Sequence, residues 1–328
     1  MAERVKYRVD LRLVGRMTQI PDSQKIFGAL MHRYAEYTSE EQTTALVAEV
    51  KQSSYGFLLS NLMPKGYLPM PQTYVLSRLS STVEESGKSF YKSLKKRLFA
   101  PIEQMEHVIS RPGHLPDPYI EVEQIQQIHA AIDGKRYNIP ALSPNLYSVP
   151  EVVVREVTAS TDEKKSEDRT RLIQDFSFYI GLEIGLEHDM MIEMLHHAKT
   201  SGRPFVLGAR SSQGLNTFEI IDIHAETYES SVGEGYYLNL GMLLPRNIDY
   251  SKSSLKLFTS ERRPFNPKIG WDESMKGHFI SFIDSGSVVY VNDTIETAGG
   301  CVPSPIHPKE IVFGRAYLHP LAGLEAVK

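Results

Sequence analysis

The sequence predicts an α+β protein in which short strands carry helices on one face, and three observations lead there. Val5, Tyr7, Val9, Leu11 and Leu13 alternate with Lys6, Arg8, Asp10 and Arg12, the period-2 pattern of a strand with one buried face. A helix-spaced series, Ile26, Phe27, Leu30, Met31 and Tyr34, follows at once, and the pairing returns later. There Phe176, Phe178, Ile180, Leu182 and Ile184 alternate, and Met190, Met191, Met194, Leu195 and Ala198 repeat at helical spacing. From Tyr236 onward short strand-like runs alternate with Gly and Pro turns, which marks a second, strand-rich region.

Taken in order, the strand at 5–13 ends at Gly15, and Pro21 suits the first turn of the helix that follows. Thr38–Glu41 or Ser39–Gln42 reads as a capping box for a helix with Leu46, Val47 and Val50 on its apolar side. FLLSNLMPKGYLPMP, residues 57–71, reads as a short buried strand running into a Pro-punctuated loop. From about Thr73 to Ser148 the chain reads as an insertion. It holds a basic amphipathic helix (Phe90, Tyr91, Leu94, Leu98), an irregular HLPDPY stretch and a second expected helix from Glu121 to Ala131. Val152–Val157 is strand-like, and the charged TASTDEKKSEDRTR predicts a hairpin tip before the strand at Phe176. Phe218, Ile220 and Ile221 begin the strand that closes this half.

With the insertion set aside, residues 1–225 read strand, helix, strand, strand, helix, strand. That is the βαββαβ order of ferredoxin-like domains, which RNA-recognition domains share. Residues 226–328 supply the strand-like runs YYLNLGMLLP, SSLKLFTS, HFISFID, SVVYV and VFGRAYLHPL.

Two domains also suit a chain of 328 residues, and 41% hydrophobic with 23% charged residues is ordinary globular composition. The apolar runs fall short of the roughly 20 residues of a membrane helix, and MAERVKYRVD has no apolar segment of a signal peptide. A single cysteine, Cys301, forms no internal disulfide and no cysteine-cluster zinc site, so a reducing cytosol is the expected home. The net charge of −4 does not describe a charge-driven nucleic-acid binder, but the distribution is uneven. Lys88 to Arg97 holds five basic residues and no acid. Lys199 to Phe218 holds Lys199, Arg203 and Arg210, again with no acid, and Tyr250 to Lys268 holds five basic residues against Glu261 alone. Such clusters form either a basic groove on an acidic body or plain solvated faces.

The stretch between the Met-rich helix and the strand at Phe218 is LGARSSQGLNTF. Gly208 and Gly214 permit close backbone approach to a phosphate chain, successive N–H groups can cradle oxygens, and Arg210 can fork onto a phosphate. A Gly- and Ser-rich joint of this kind also serves as an ordinary turn.

This loop resembles the L-G-G-K-R-S-x-G-x-G-x-F signature of the RAMP superfamily, in the form carried by subunit four of type III-A CRISPR (Csm) complexes, the Cas-five-like group. Leu207, Gly208, Ser212, Gly214 and Phe218 match, and Arg210 keeps the charge of the lysine. Ala209, Ser211 and Asn216 depart from a glycine, an arginine and a glycine, and Thr217 from a position that is basic in some members. Four more segments match in order: PDSQKIFGAL its first helix, YLPMP its L-P-x-P element, NLYSV the lead into its central strands and FGRAYLHPL its closing strand. TSERRPF at 259–265 echoes its TKxxGF element.

The resemblance implies tandem ferredoxin-like (RRM-like) domains, 1–225 and 226–328, with a thumb-like insertion at about 73–148 in the first. It implies an RNA-binding subunit that caps the 5′ handle of the guide RNA and contacts the large palm-domain subunit and the repeated backbone RAMP subunit. No catalytic activity, cofactor, metal or membrane contact is expected. The RNA-binding residues expected on this footing are Ser23, Lys25, Lys92, Lys95, Lys96, Gly208, Ala209, Arg210, Ser211, Ser212, Gln213, Gly214, Asn216, Arg262 and Arg263. The rival reading is a Cas-six-like endoribonuclease cutting repeat RNA by general acid–base chemistry through His32. A metal hydrolase built on His188–Asp189 and His196–His197 is a weaker rival, because ligands from other segments do not declare themselves.

Overall fold

The computed structural model describes residues 4–52, 55–79, 87–131, 145–159, 169–226, 233–262, 265–266, 270–271, 277–306, 310–321 and 324. In chain order, β1 (Arg4–Leu13) leads into α1 (Ser23–Tyr37) and α2 (Glu40–Gln52), followed by β2 (Phe57–Leu59), β3 (Met63–Pro64) and β4 (Tyr67–Pro69). Next come α3 (Gln72–Leu79), α4 (Gly87–Lys96), β5 (Phe99–Pro101), α5 (Met105–Ser110), β6 (Tyr119–Ala131), β7 (Asn145–Thr158) and β8 (Arg169–Leu172). The chain returns through β9 (Asp175–Glu183), α6 (Leu186–Thr200), β10 (Phe205–Val206) and β11 (Thr217–Glu226).

The first sheet runs β10-β11-β1-β9-β2 and is antiparallel throughout, with β3 also paired to β9. Val9 lies opposite Phe178 and Leu11 opposite Phe176, so the apolar positions of β1 and β9 share one face. On that face α1 lays down Ile26, Phe27, Leu30, Met31 and Tyr34, and α6 lays down Met191, Met194, Leu195 and Ala198. Asp22 caps α1 by accepting the Lys25 N–H at 2.9 Å, and Ser39 caps α2 by accepting the Gln42 N–H at 3.2 Å. The second of the two capping boxes read from the sequence is the one used.

A five-stranded sheet, β4-β5-β6-β7-β8, intervenes between β3 and β9. Its centre is the β6–β7 hairpin, registered from Tyr119 opposite Val157 to Ala131 opposite Asn145. The helix expected over Glu121–Ala131 is therefore a strand. Val122, Ile125 and His129 fit a helical period, but Val122 pairs with Val154 and Gln124 with Val152, and cross-strand burial decides. Val152–Val157 belongs to this inserted sheet, and the charged segment joins β7 to β8; its residues 160–168 lie outside the described residues.

The remaining chain forms β12 (Gly235–Asn239), β13 (Ile248–Ser254), β14 (Leu257–Arg262), β15 (Phe265–Asn266), β16 (Gly270–Trp271) and β17 (His278–Ile283). It ends with β18 (Val288–Val291), α7 (Ile295–Ala298), β19 (Val302–Pro303), β20 (Ile311–Val312) and β21 (Leu318–Pro320). A second antiparallel sheet runs β13-β18-β12-β21.

Backbone hydrogen bonds join the two sheets. Leu59 N–H donates to the Arg315 carbonyl at 3.0 Å, and the Leu59 carbonyl accepts the Tyr317 N–H at 2.8 Å. Phe313 stacks on Phe27 with centroids 4.5 Å apart, inside the first core. The non-helical face of β1, expected to meet solvent, is partly covered: Lys6 lies over the Tyr317 ring and Asp10 is buried, held by Arg8 at 2.9 Å and Lys65 at 2.8 Å. Among the described residues no helix is long and apolar enough to cross a membrane.

Candidate nucleic-acid interface

The glycine-rich loop joins β10 to β11 at the edge of the first sheet, and its backbone is fixed from within. Arg210 sits in the left-handed region at φ +67° and Gly214 at +71°, bracketing a single 3-10 turn, Ser211–Gln213. Asn216 is also left-handed, at φ +57°, a conformation asparagine tolerates better than most residues. Its side chain is fully buried and bonded on both ends. Asn216 Oδ1 accepts the Thr18 N–H at 2.8 Å, while Nδ2 donates to the Ala209 carbonyl at 2.8 Å and to Thr18 Oγ1 at 3.0 Å. The Asn216 side chain thus holds the loop in place from within rather than joining its exposed surface.

The segment after β1 is the loop's base. A Cβ on Gly15, which has φ +96°, would stand 2.9 Å from the Gly214 carbonyl, so glycine is required for the two turns to touch. Met17 accepts the Val152 N–H at 2.8 Å, and Arg16 Nη1 donates to Gln127 Oε1 at 2.5 Å. The inserted hairpin is therefore anchored to the base of the loop.

Between the loop and α1 runs a groove of about 480 Å³, lined by Lys25, Gly28, Ala29, His32, Arg33, Glu36, Val206, Gly208 and Ser211. The α1 residues are spaced three and four apart on one helix face, and Gly28 and Ala29 leave the middle of the groove open. Lys25 Nζ pairs with Asp22 at 2.5 Å, and Arg33 pairs with Glu36 at 2.8 Å and donates to the Pro204 carbonyl. Of the cations in the acid-free run 199–218, Lys199 is bonded to Asp222 at 2.9 Å, which with the Ile223 N–H holds that carboxyl down at about 2. Arg203 faces Glu36 at 3.8 Å. Arg210 is exposed and has no partner among the described residues, so its guanidinium is available to an anion.

The structure thus brings together Lys25, Gly208, Ala209, Arg210, Ser211, Ser212, Gln213 and Gly214, with residues 209–214 all exposed. Ser23 does not join them: it is fully buried, and its Oγ accepts the Met242 N–H at 3.0 Å. Lys92, Lys95 and Lys96 are exposed on α4, in the insertion, and do not line the groove. Arg263 lies outside the described residues, and of Arg262 the backbone alone is described, at the end of β14. Gly15, Thr18, Gly28 and Arg33 escaped sequence reading, because only the fold brings residues 15–33 beside 208–216.

His32 lies in the same groove, three-quarters exposed and 3.6 Å from Glu36. His188 is bonded to the Tyr7 hydroxyl at 2.9 Å and to Asp189 at 2.8 Å. Among the described residues no group of three or more His, Cys, Asp or Glu side chains is placed to hold a metal ion.

No protein-family model matches the chain, and no curated protein matches it. Solved structures do. The chain is similar to a chain of a crystal structure of a Csm1–Csm4 cassette in complex with cA4, at 14% identity and a TM-score of 0.56, covering 97% of this chain and 99% of that one. A chain of the same cassette with AMPPNP matches at 16% identity and a TM-score of 0.53, covering 98% and 100%. A chain of a Csm3–Csm4 subcomplex of the type III-A CRISPR–Cas interference complex matches at 14% and 0.54, covering 96% and 99%. At these identities the likeness is one of fold, and it extends over nearly the whole chain, in agreement with the RAMP resemblance.

Proposed function

We propose that this protein is a cytoplasmic subunit of a type III-A CRISPR effector complex, without catalytic activity, that binds and caps the 5′ handle of the guide RNA. Its partners on this reading are the guide RNA, the large palm-domain subunit (Csm1) and the repeated backbone RAMP subunit (Csm3). Those are the subunits named with Csm4 in the structurally similar assemblies. The observation that carries the reading is the groove between α1 and the glycine-rich loop, with Arg210, exposed and without a partner among the described residues, lying in the chain between the groove-lining Gly208 and Ser211. Strand order supports the tandem ferredoxin-like architecture: with the two-residue strands β3 and β10 left aside and the rest numbered by succession within each half, both sheets run fourth, first, third, second.

The test is handle-RNA affinity at several salt concentrations. Charge-assisted hydrogen bonds are worth about 1.5–3 kcal/mol, so Arg210→Ala should cost ten-fold or more and flatten the salt slope. Gly214→Val should weaken binding by steric exclusion, at an unchanged slope. If both variants bind like wild type at every salt, the loop is an ordinary turn and the reading fails.

The endoribonuclease reading is favoured by one observation, His32 inside the same groove. Cleavage of repeat RNA by the wild-type protein, abolished in His32→Ala, would establish it; intact RNA retires it.

A further inference from the structure

A second recess lies across the first turn of α1 from the groove. It holds about 180 Å³ and is lined by Met63, Met70 and Phe99 together with Asn61, Ser285 and Lys256. Three parts of the chain meet there: the stretch around β3, the insertion, and the turn between β17 and β18. Gly286, at φ +83°, lets that turn close in, since a Cβ would stand 2.8 Å from the Met70 carbonyl. Recess and groove adjoin through α1. Asn61 Oδ1 accepts the Ser23 N–H at 2.8 Å, and Lys25, two residues on, lines the groove.

Size and chemistry narrow the occupant. A cavity of about 150 Å³ holds one benzene ring, and drug-sized ligands need roughly 300–1,000 Å³. The recess therefore fits one ring system. Two thioethers and an aromatic ring suit the face of a flat, polarisable group. Asn61 Oδ1 is occupied by the Ser23 N–H, and its Nδ2 has no partner among the described residues, leaving a donor for a ring carbonyl. Lys256, paired with Asp284 at 2.8 Å, adds a cation. A slot lined about equally by apolar and polar groups, with an amide donor and beside a cationic groove, has the chemistry that recognises an unstacked base, which offers a flat apolar face and a polar edge.

We propose that this recess takes one unstacked nucleobase of the RNA strand whose phosphates lie along α1 and the glycine-rich loop. The inference rests on the handle-binding reading and adds a base-reading site to it.

The experiment uses the full chain and synthetic single-stranded handle RNA carrying one abasic site at each position in turn. The variant is Thr73→Phe, which fills the recess from its α3 wall. Base–aromatic stacking predicts that one abasic position costs wild type about ten-fold in affinity. Thr73→Phe should bind intact RNA about ten-fold more weakly than wild type, yet be indifferent to the abasic site at that same position. Unchanged affinity for the abasic RNA also shows the variant to be folded. If it binds no RNA at all, crosslinking decides: 4-thiouridine in RNA bound to wild type should crosslink to peptides bearing Met70 or Phe99, and crosslinks confined to other peptides overturn the proposal. Penalties that multiply at every position overturn it, as does unchanged RNA affinity in Thr73→Phe, including the case where that variant instead loses a protein partner. Wild type that binds no handle RNA, or an Arg210→Ala variant that binds as tightly as wild type, removes the handle reading and this site together. Normal handle binding with the expected Arg210→Ala loss but no coupled position removes the base site alone.

Discussion

The first sheet hides its apolar face under two fifteen-residue helices, whereas the second, with its strands in the same order, has a loop and a four-residue helix in the corresponding connections. Residues 240–243 follow β12 as a buried stretch, and the backbones pack where side chains would otherwise lie. A Cβ on Gly241 would stand 2.5 Å from the Leu59 carbonyl, and one on Gly314 would stand 2.4 Å from Leu244 Cβ. The second core also borrows from the first half: Leu58, Met63, Leu68, Met70, Tyr74 and Leu94 pack with Tyr237, Leu238, Ile283 and Val288. The same strand order therefore supports two different kinds of core, one covered mainly by its own helices with Phe313 added from the second half, and one closed largely by its neighbours.

The largest consequence is for fragments. Residues 226–328 expressed alone should show no cooperative unfolding by circular dichroism, since the face they bury belongs partly to residues 58–94. A sharp, reversible transition in that fragment would break the contrast. Point variants come next. Phe178→Ala, a fully buried truncation under the two helices, should cost about 3–5 kcal/mol in chemical denaturation. Gly314→Ala, an overpacking of backbone against Leu244 and the Gly300 carbonyl, should cost about 1–3 kcal/mol. Equal penalties would mean that the second core is as helix-like in its tolerance as the first.

The smallest effect concerns pH. Burial, with Lys6 second, pushes His319 on β21 down to about 4, and burial pushes Lys6 on β1 down to about 7. A base with a depressed folded value binds fewer protons when folded, so stability rises with pH between the folded and unfolded values. For His319 that window runs from pH 4 to about 6.5. Across it the protein should lose about 1–2 kcal/mol on acidification, with partial exposure discounted, and His319→Gln should flatten the loss in denaturation midpoints taken every half pH unit.

Legibility in the sequence followed the range of the interaction. β1, α1, β9 and α6 were readable because each has one dominant apolar face, and the Ser39 cap because it is local. The β6–β7 hairpin was misread because Val122, Ile125 and His129 satisfy a helical period that only its partner strand can overrule. The candidate loop was visible through its glycines and Arg210, but its internal logic was not. Asn216 looked like a lost glycine, while in space it bolts the loop to Thr18, 198 positions away. The burial of Ser23 was illegible for the same reason, since its acceptor role toward Met242 spans the two halves.

The bond between Leu59 and Tyr317, together with Phe313 stacked on Phe27, has a consequence for biosynthesis. A ribosome delivers residues at about 5–20 per second, and domains generally fold as they emerge. Here the earliest core cannot be completed on that schedule, because a ring made some 290 positions later fills it. During translation the unfinished core exposes Phe27 and the edge of β2 at Leu59, an adhesive state for which contact with a chaperone or an early partner is the natural shelter.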